Sequence, residues 1–167
     1  AFIGLGIMGA NMASHLIKFN HLNIINRKSS KTKKFIRKFK NNNNLTIYDN
    51  LKELTKNSNI IISCVGNDKD LINIYLSKGG ILENLKKNSI IVDHTTASAK
   101  ISKEIYKKFY RKGSYFYDAP ISGGEIGAIN GSLSIMVGGN EKNFFRLQAI
   151  LGLYSKVLIY MGKSGNG

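Results

Sequence analysis

The sequence predicts an α/β fold, a Rossmann-like, doubly wound, mostly parallel sheet with helices on both faces. Short apolar segments rich in Ile and Val alternate along the chain with amphipathic segments at helical spacing. Strands covered on both faces are typically continuous apolar runs, and a helix is the usual connection between parallel strands. The chain has 167 residues, which favours one domain of this kind.

The first residues predict a strand, a tight turn and a helix. Residues 1–12 begin apolar and continue as G-x-G-x-x-G through Gly4, Gly6 and Gly9. In a dinucleotide-binding fingerprint, the first glycine permits the turn, the second lets backbone approach a pyrophosphate, and the third lets helix and strand pack closely. Free N–H groups at the helix N-terminus attract the phosphates. The alternative for this motif alone is a glycine-rich turn without a ligand. The predicted helix has apolar residues at helical spacing, namely Met8, Met12, Leu16 and Phe19.

Strands and helices are expected to alternate along the rest of the chain. The predicted strands are 22–26, 45–48, 59–65, 89–93, 114–119, 132–137 and 154–160, and the predicted helices are 30–40, 50–56, 68–75, 99–112 and 140–151. Residues 41–44 are expected to form a polar loop, and residues 121–128 a glycine-rich loop. Loops at the carboxyl ends of parallel strands face the ligand crevice, so Val65, Gly66 and Asn67 are candidate cofactor contacts. Thr95 and Thr96 also follow such a strand end.

The end of the second strand indicates which dinucleotide the crevice prefers. NAD-binding domains usually carry Asp or Glu there, as an acceptor for the ribose 2′-hydroxyl. Here residues 26–30 read Asn-Arg-Lys-Ser-Ser, and the first acidic residue of the chain is Asp49. Arg27 can grip a 2′-phosphate with two N–H donors, which predicts NADP, with NAD as the second choice. The alternative is that Arg27 is a solvated surface residue and that Asn26 caps the next helix.

Other chemistries find little support in the sequence. Cys64 is the single cysteine, so the chain forms no internal disulfide, and a packing role is predicted for it. His94 follows Asp93, but the chain has no G-x-S-x-G elbow to supply the serine of a hydrolase. Lys163 and Ser164 lack the earlier glycine of a P-loop. No cluster of residues has metal-ligand spacing, so no metal site is expected.

The formal net charge of +15 raises the question of a nucleic-acid partner. We favour a lysine-rich composition with solvated helix faces, because the lysines are spread along the chain and are not interleaved with exposed aromatic residues. The sequence has no apolar run long enough to span a membrane and no visible signal peptide. We therefore expect neither a nucleic acid nor a membrane as a partner, and a cytoplasmic location.

Three segments stand out together. They are residues 4–13, GLGIMGANMA; residues 118–124, DAPISGG, with Gly127, Gly131 and the MVGG of residues 136–139; and residues 162–167, GKSGNG. Together they resemble the β-hydroxyacid dehydrogenases, the group that contains 3-hydroxyisobutyrate dehydrogenase, tartronate semialdehyde reductase and related glyoxylate or semialdehyde reductases. The second segment is far more specific than the first.

The resemblance implies an NADP(H)-dependent oxidoreductase that transfers hydride to or from a small β-hydroxyacid or its semialdehyde. Ser122, Gly123 and Gly124 match the family loop that holds the substrate carboxylate. Gly66 stands where many members have proline. The expected cofactor contacts, from fingerprint and resemblance together, are Gly4, Leu5, Gly6, Ile7, Met8, Gly9, Asn26, Arg27, Lys28, Ser29, Val65, Gly66, Asn67 and Thr96.

The resemblance also places important groups beyond Gly167. The general acid/base of the family is a lysine four residues further on, so no catalytic residue is expected in this chain. We expect residues 1–161 to form the NADP-binding domain and residues 162–167 to begin the link to a helical C-terminal domain, through which the full-length protein forms a homo-oligomer. Two accounts stay open. The chain is a domain of a longer enzyme, which we favour, or a truncated gene product that binds nucleotide without catalysis.

Overall fold

The computed structural model describes residues 1–39 and 42–167. Within these ranges the strands are β1 (Phe2–Ile3), β2 (Leu22–Ile25), β3 (Leu45–Ile47), β4 (Ile60–Ser63), β5 (Ile90–Asp93), β6 (Tyr115–Asp118), β7 (Ile121–Ser122), β8 (Leu133–Gly138) and β9 (Ser155–Gly162). The helices are α1 (Ile7–Leu16), α2 (Ser29–Lys38), α3 (Leu51–Lys56), α4 (Asp68–Tyr75), α5 (Ile81–Asn84), α6 (Ala99–Arg111), α7 (Gly124–Asn130) and α8 (Phe144–Leu151), with a 3₁₀ turn at Glu141–Asn143 before α8.

The strands form one sheet whose order confirms the predicted fold class. Six parallel strands run in the order β3-β2-β1-β4-β5-β6, with Phe2 opposite both Ile24 and Ile62. This is the order of a doubly wound dinucleotide-binding sheet. Beyond β6 the sheet changes direction, because β8 pairs antiparallel with β6 and β7, and β9 then pairs parallel with β8. The sheet is therefore mostly parallel, as predicted.

Neighbouring residues of each central strand point into two separate apolar cores. Phe2 and Ile62 pack with α1, α2, α7 and α8, whereas Ile3 and Ile61 pack with α3, α4, α5 and α6. The alternation follows from the period of two along a strand. Both faces of the sheet are thus covered by helices, which explains why these strands are continuous apolar runs.

Capping side chains and apolar stripes explain where several helices begin and what they bury. The side chains of Asn50, Asn67 and Ser98 accept backbone N–H bonds in the first turns of α3, α4 and α6. Such caps satisfy donors that have no partner within the helix. Along α6, Ile101, Ile105 and Phe109 follow at four-residue spacing and are buried, as the sequence predicts.

Some local predictions are wrong. Residues 121–128 form β7 and most of α7 rather than a loop, because the burial of Gly127 and Ala128 in the core beside α1 outweighs the low helix propensity of glycine. Helix α1 ends at Leu16, so Phe19 leaves the apolar stripe and is 72% exposed. The short helix α5 was not predicted. The predicted helix 30–40 and loop 41–44 include residues 40 and 41, which lie outside the described residues; α2 spans Ser29–Lys38.

Candidate functional site

A crevice opens where β1, β2 and β4 end at their carboxyl edge. It holds a cavity of about 740 Å³, a size typical of small-molecule and cofactor sites. Its wall brings together ten of the predicted cofactor contacts, namely Gly4, Gly6, Ile7, Met8, Gly9, Asn26, Arg27, Lys28, Val65 and Gly66. The crevice therefore lies where ligands bind in open α/β sheets.

Each glycine of the first turn has a distinct steric reason. Gly4 has a φ of +92°, and a Cβ there would collide with the carbonyl oxygen of Cys64, the residue that follows β4. A Cβ at Gly9 would collide with the Gly4 carbonyl oxygen and lie 3.0 Å from the Phe2 ring. Gly6, in contrast, has open space around its Cβ position. Gly4 and Gly9 are thus required by the fold itself, while Gly6 leaves room for an approaching ligand.

Helix α1 points its N-terminus into the crevice. Gly6 is the N-cap residue and has no side chain that could satisfy the first N–H groups of the helix. The backbone N–H groups of Ile7, Met8 and Gly9 lie in the first turn, where a helix has no internal acceptors. Together with the positive end of the helix dipole, these donors form a site suited to a pyrophosphate.

Asn26 links the turn after β1 to the loop after β2. Its Oδ1 accepts the Leu5 N–H at 2.9 Å, and its Nδ2 donates to the Lys28 carbonyl oxygen at 2.8 Å. Leu5 itself is buried, with its N–H bonded in this way. Asn26 therefore holds both loops in place. The alternative prediction that Asn26 caps the next helix is wrong, because Lys28 is the N-cap residue of α2.

Arg27 reaches across the mouth of the crevice to α4. Its Nη1 lies 3.0 Å from Oδ1 of Asp70, while 79% of the arginine side chain remains exposed. Asp70 also accepts the Gly66 N–H through Oδ2 at 3.2 Å. The guanidinium is therefore held by one edge and keeps further donors for a ligand.

Four predicted cofactor contacts lie outside the cavity wall, and several residues of the wall were missed. Leu5, Ser29, Asn67 and Thr96 are not among the described residues that line it. The Asn67 side chain instead accepts the N–H groups of Lys69 and Asp70 as a helix cap. The missed residues include Lys31, four positions after Arg27, and Asp70, Asn73 and Ile74 of α4. Positions 70, 73 and 74 share one helical face, a spacing that was visible in the sequence.

A buried polar network supports the β4 end of the crevice. Tyr75 Oη lies 2.6 Å from Ser63 Oγ, which donates to Asp93 Oδ1 at 2.5 Å. Thr95 Oγ1 donates to the same oxygen at 2.7 Å and accepts the Val65 N–H at 3.0 Å. Burial raises the pKa of Asp93 to about 6, although the bonds from Ser63 and Thr95 oppose the rise. Asp93 thus fixes the backbone at Val65 through Thr95.

Cys64 and His94 have surroundings that suppress reactivity. Cys64 is partly buried and lines the crevice, and burial followed by the nearby Asp93 charge raises the pKa of its thiol to about 12. Burial lowers the pKa of His94 to about 4, so its neutral ring donates from Nδ1 to the Ala119 carbonyl oxygen at 2.6 Å and accepts from Tyr154 Oη at 2.8 Å. His94 is therefore a buried structural residue with both ring nitrogens hydrogen-bonded, and it is not the base of a hydrolase triad.

The predicted substrate loop surrounds the start of α7. Ser122 ends β7 and is exposed, and Gly123 and Gly124 have φ values of +126° and +59°. Gly123 is the N-cap residue of α7. Among the described residues, these three do not line the crevice of Gly4 and Arg27. The structure therefore places the loop at an exposed strand end, apart from the cavity.

The fold and the crevice define the class of this protein, and a comparison with protein-family models then defines its family. Fold, glycine turn and crevice are those of the NAD(P)-binding domains of Rossmann type. The family described as the NAD binding domain of 6-phosphogluconate dehydrogenase matches residues 1–162, and the chain belongs to this family.

Curated relatives are oxidoreductases. An uncharacterized oxidoreductase of Shewanella frigidimarina is 37% identical over 168 residues, covering 100% of this chain and 56% of that protein. The mitochondrial 3-hydroxyisobutyrate dehydrogenase of Drosophila melanogaster is 35% identical, covering 99% of this chain and 49% of that protein. The resemblance stated from the motifs is thereby confirmed. The chain spans about half the length of these relatives.

Solved structures show the same fold. The protein Psf3 in complex with NADP⁺ and 2-OPP matches with a TM-score of 0.91 at 24% identity, covering 98% of this chain and 57% of that one. The 3-hydroxyisobutyrate dehydrogenase of Mycobacterium tuberculosis with L-serine matches with a TM-score of 0.89 at 23% identity, covering 99% and 55%. At these identities the likeness establishes the fold alone.

Across residues 1–39 and 42–167, every helix is too short or too polar to cross a lipid bilayer. In the same part of the chain, no three His, Cys, Asp or Glu side chains gather into a group that would hold a metal ion.

Proposed function

We propose that this chain is the cofactor-binding part of an NADP(H)-dependent oxidoreductase that acts on a small β-hydroxyacid or its semialdehyde. The observation that carries the proposal is the open N-terminus of α1 in a cavity of about 740 Å³, with Arg27 at its mouth. The relatives named as oxidoreductases and 3-hydroxyisobutyrate dehydrogenases support the reaction class.

Different residues of the crevice would bind different parts of the cofactor. The N–H groups of Ile7 and Met8 would hold the pyrophosphate, since they lie in the first turn of α1. Arg27, Lys28 and Lys31 would receive the adenosine 2′-phosphate, because they place three positive charges along the same wall. When bound, the nicotinamide supplies the hydride chemistry, and the protein supplies position and orientation.

The substrate part of the proposal rests on the start of α7. Glycines with positive φ expose backbone N–H groups, and such a concavity suits a carboxylate. Ser122 adds a hydroxyl donor on an exposed position next to them. We therefore assign Ser122, Gly123 and Gly124 to the carboxylate of a small substrate. The lysine that exchanges the proton would lie beyond Gly167, within the longer protein. We also propose that the longer protein is a cytoplasmic homo-oligomer.

Titration with NADPH and NADH at one moderate salt concentration tests the cofactor assignment. Arg27→Ala should weaken NADPH binding by about tenfold or more and NADH binding far less, since a charged hydrogen bond contributes about 1.5–3 kcal/mol. Arg37→Ala is the matched control, because Arg37 is an exposed arginine of the following helix, α2, and does not line the cavity. An equal effect of both substitutions, or tighter NADH binding by the unsubstituted protein, would contradict the NADP assignment.

The rival function is a nucleotide-binding module without catalysis. The full-length protein separates the two, because an enzyme should reduce NADP⁺ in the presence of 3-hydroxyisobutyrate or a similar β-hydroxyacid. Ser122→Ala should then raise the substrate KM while leaving NADPH affinity unchanged. NADPH binding with no turnover of any such acid would favour the module.

A further inference from the structure

Arg27 is not free in the crevice, because it pairs with a carboxylate from a different element. Arg27 follows β2, whereas Asp70 lies in the first turn of α4. Arg27 Nη1 and Asp70 Oδ1 are 3.0 Å apart, and the Asp70 side chain is only 22% exposed. Both residues line the same cavity. The pair thus joins the loop after β2 to the start of α4 across the mouth of the crevice.

Asp70 is the fixed member of this pair. Its Oδ2 accepts the Gly66 N–H at 3.2 Å, and its own N–H donates to Asn67 Oδ1 at 3.2 Å. A Cβ at Gly66 would come within 2.6 Å of Asp70 Oδ2, so a larger residue there would displace the carboxylate. A proline would also lack the N–H donor. Gly66 therefore permits the position of Asp70, and the more exposed Arg27 pairs with it there.

The pair opposes a 2′-phosphate in two ways. A phosphate that binds Arg27 competes with Asp70 for the guanidinium donors, and it brings a second negative charge close to the carboxylate. An adenosine 2′-hydroxyl is neutral and donates a hydrogen bond, which a carboxylate accepts. Asp70 supplies in space the acidic group that is absent after β2 in the sequence.

We propose that Asp70 is a specificity-determining residue that restrains the preference for NADP and keeps NAD acceptable to the crevice. The inference rests on the proposed function, since it requires a dinucleotide in this cavity. Asp49 also lines the wall, but among the described residues its carboxylate forms no ion pair with Arg27. Asp70 is therefore the acidic group that acts on the arginine directly.

The test is a titration of the full-length protein and its Asp70→Asn variant with NADPH and with NADH, at one moderate salt concentration. Asp70→Asn should raise the ratio of NADPH to NADH affinity by about threefold to fivefold, the range expected for one partly exposed ion pair. Asp68→Asn is the matched control. It removes the same charge two residues away, where the carboxylate bonds to Ser98 and does not line the cavity.

Each outcome has a separate meaning. A ratio that rises for Asp70→Asn and stays within about twofold for Asp68→Asn supports the role of Asp70. A ratio that is unchanged or falls in Asp70→Asn, or that rises equally in both variants, overturns it while leaving dinucleotide binding intact. Failure of the unsubstituted protein to bind either dinucleotide would instead overturn the proposed function, and the inference with it.

Discussion

Asp118 accepts a hydrogen bond from Ser164 Oγ at 2.8 Å, although Asp118 ends β6 and Ser164 follows β9. The same carboxylate accepts the N–H groups of Gly165 at 2.8 Å and Gly167 at 2.9 Å. One buried side chain thus holds the whole segment that follows β9. The second and third motifs of the sequence are therefore parts of one structural unit.

Asp118→Asn should destabilise this unit. An asparagine amide has one oxygen where the carboxylate has two, so its NH₂ group would face one of the N–H groups that now donate to Asp118. We expect a loss of about 2–4 kcal/mol in the free energy of unfolding, since bonds to charged groups contribute about 1.5–3 kcal/mol each. Urea unfolding measures the loss, and faster trypsin cleavage after Lys163 locates it.

Ser164→Ala provides the graded comparison, because it removes one of the three bonds and leaves the carboxylate in place. Its cost should be about 1.5 kcal/mol, the lower end of the range for one bond to a charged group. If Ser164→Ala cost as much as Asp118→Asn, or if cleavage at Lys163 did not accelerate in Asp118→Asn, the carboxylate would not be what holds this segment.

Alanine at Gly9 should lower the stability of the fold, whereas alanine at Gly6 should weaken cofactor binding. Gly9→Ala forces a Cβ against Gly4 and Phe2, so it should lower the free energy of unfolding by about 1–3 kcal/mol. Gly6→Ala meets open space within the crevice at a backbone conformation that alanine can adopt. The weaker cap is partly offset by the stiffer unfolded chain, so the free energy of unfolding should change by less than about 1 kcal/mol. The added methyl group would occupy the path of a pyrophosphate, and NADPH binding should weaken about tenfold or more. Urea unfolding and NADPH titration of both variants distinguish these effects, and equal loss of stability in the two would count against this division of roles.

Asp93 should make stability fall as pH rises. Its pKa is raised from 3.8 to about 6 in the folded protein, so the native state binds the proton more tightly than the unfolded chain. The favourable contribution of the protonated acid is therefore lost between about pH 4 and pH 6, by up to about 3 kcal/mol. Urea unfolding at several pH values should show that the difference between the unsubstituted protein and Asp93→Asn shrinks or reverses across this window.

The exposed carboxylate of Asp49 gives the control for that experiment. Asp49→Asn removes an exposed carboxylate in the same way and controls for the loss of a negative charge as such. Parallel curves for the unsubstituted protein and Asp93→Asn would mean that Asp93 does not carry the titration.

The glycine turn could be predicted because its pattern is local. Gly4, Gly6 and Gly9 lie within six residues of one another, and the clash that excludes a Cβ at Gly9 arises within the strand–turn–helix unit. The clash at Gly4 comes from Cys64, after β4, and was not visible in the sequence. The fold class could be predicted in a similar way, since apolar runs separated by helices favour a parallel sheet. The prediction of a loop at residues 121–128 was wrong because the helix there buries Gly127 and Ala128 in the core beside α1, which is a tertiary contact.

The electrostatics of the crevice mouth could not be predicted from the sequence. Arg27 and Asp70 are separated by 43 positions and meet only because β2 and β4 both lie next to β1. The absence of an acidic residue after β2 therefore did not reveal the acidic group that reaches the same place from α4. Asn26 was predicted as a ligand contact, with a helix cap as the alternative. It lines the cavity, but the sequence did not reveal that its side chain bonds to Leu5 and Lys28 instead of capping α2.

A crystal structure of the full-length protein with NADPH tests the central claim most directly. The pyrophosphate should bond to the N–H groups of Ile7 and Met8 at the start of α1, and the 2′-phosphate should contact Arg27. A pyrophosphate bound away from α1, or a crevice that stays empty at saturating NADPH, would contradict a dinucleotide-binding function for this site.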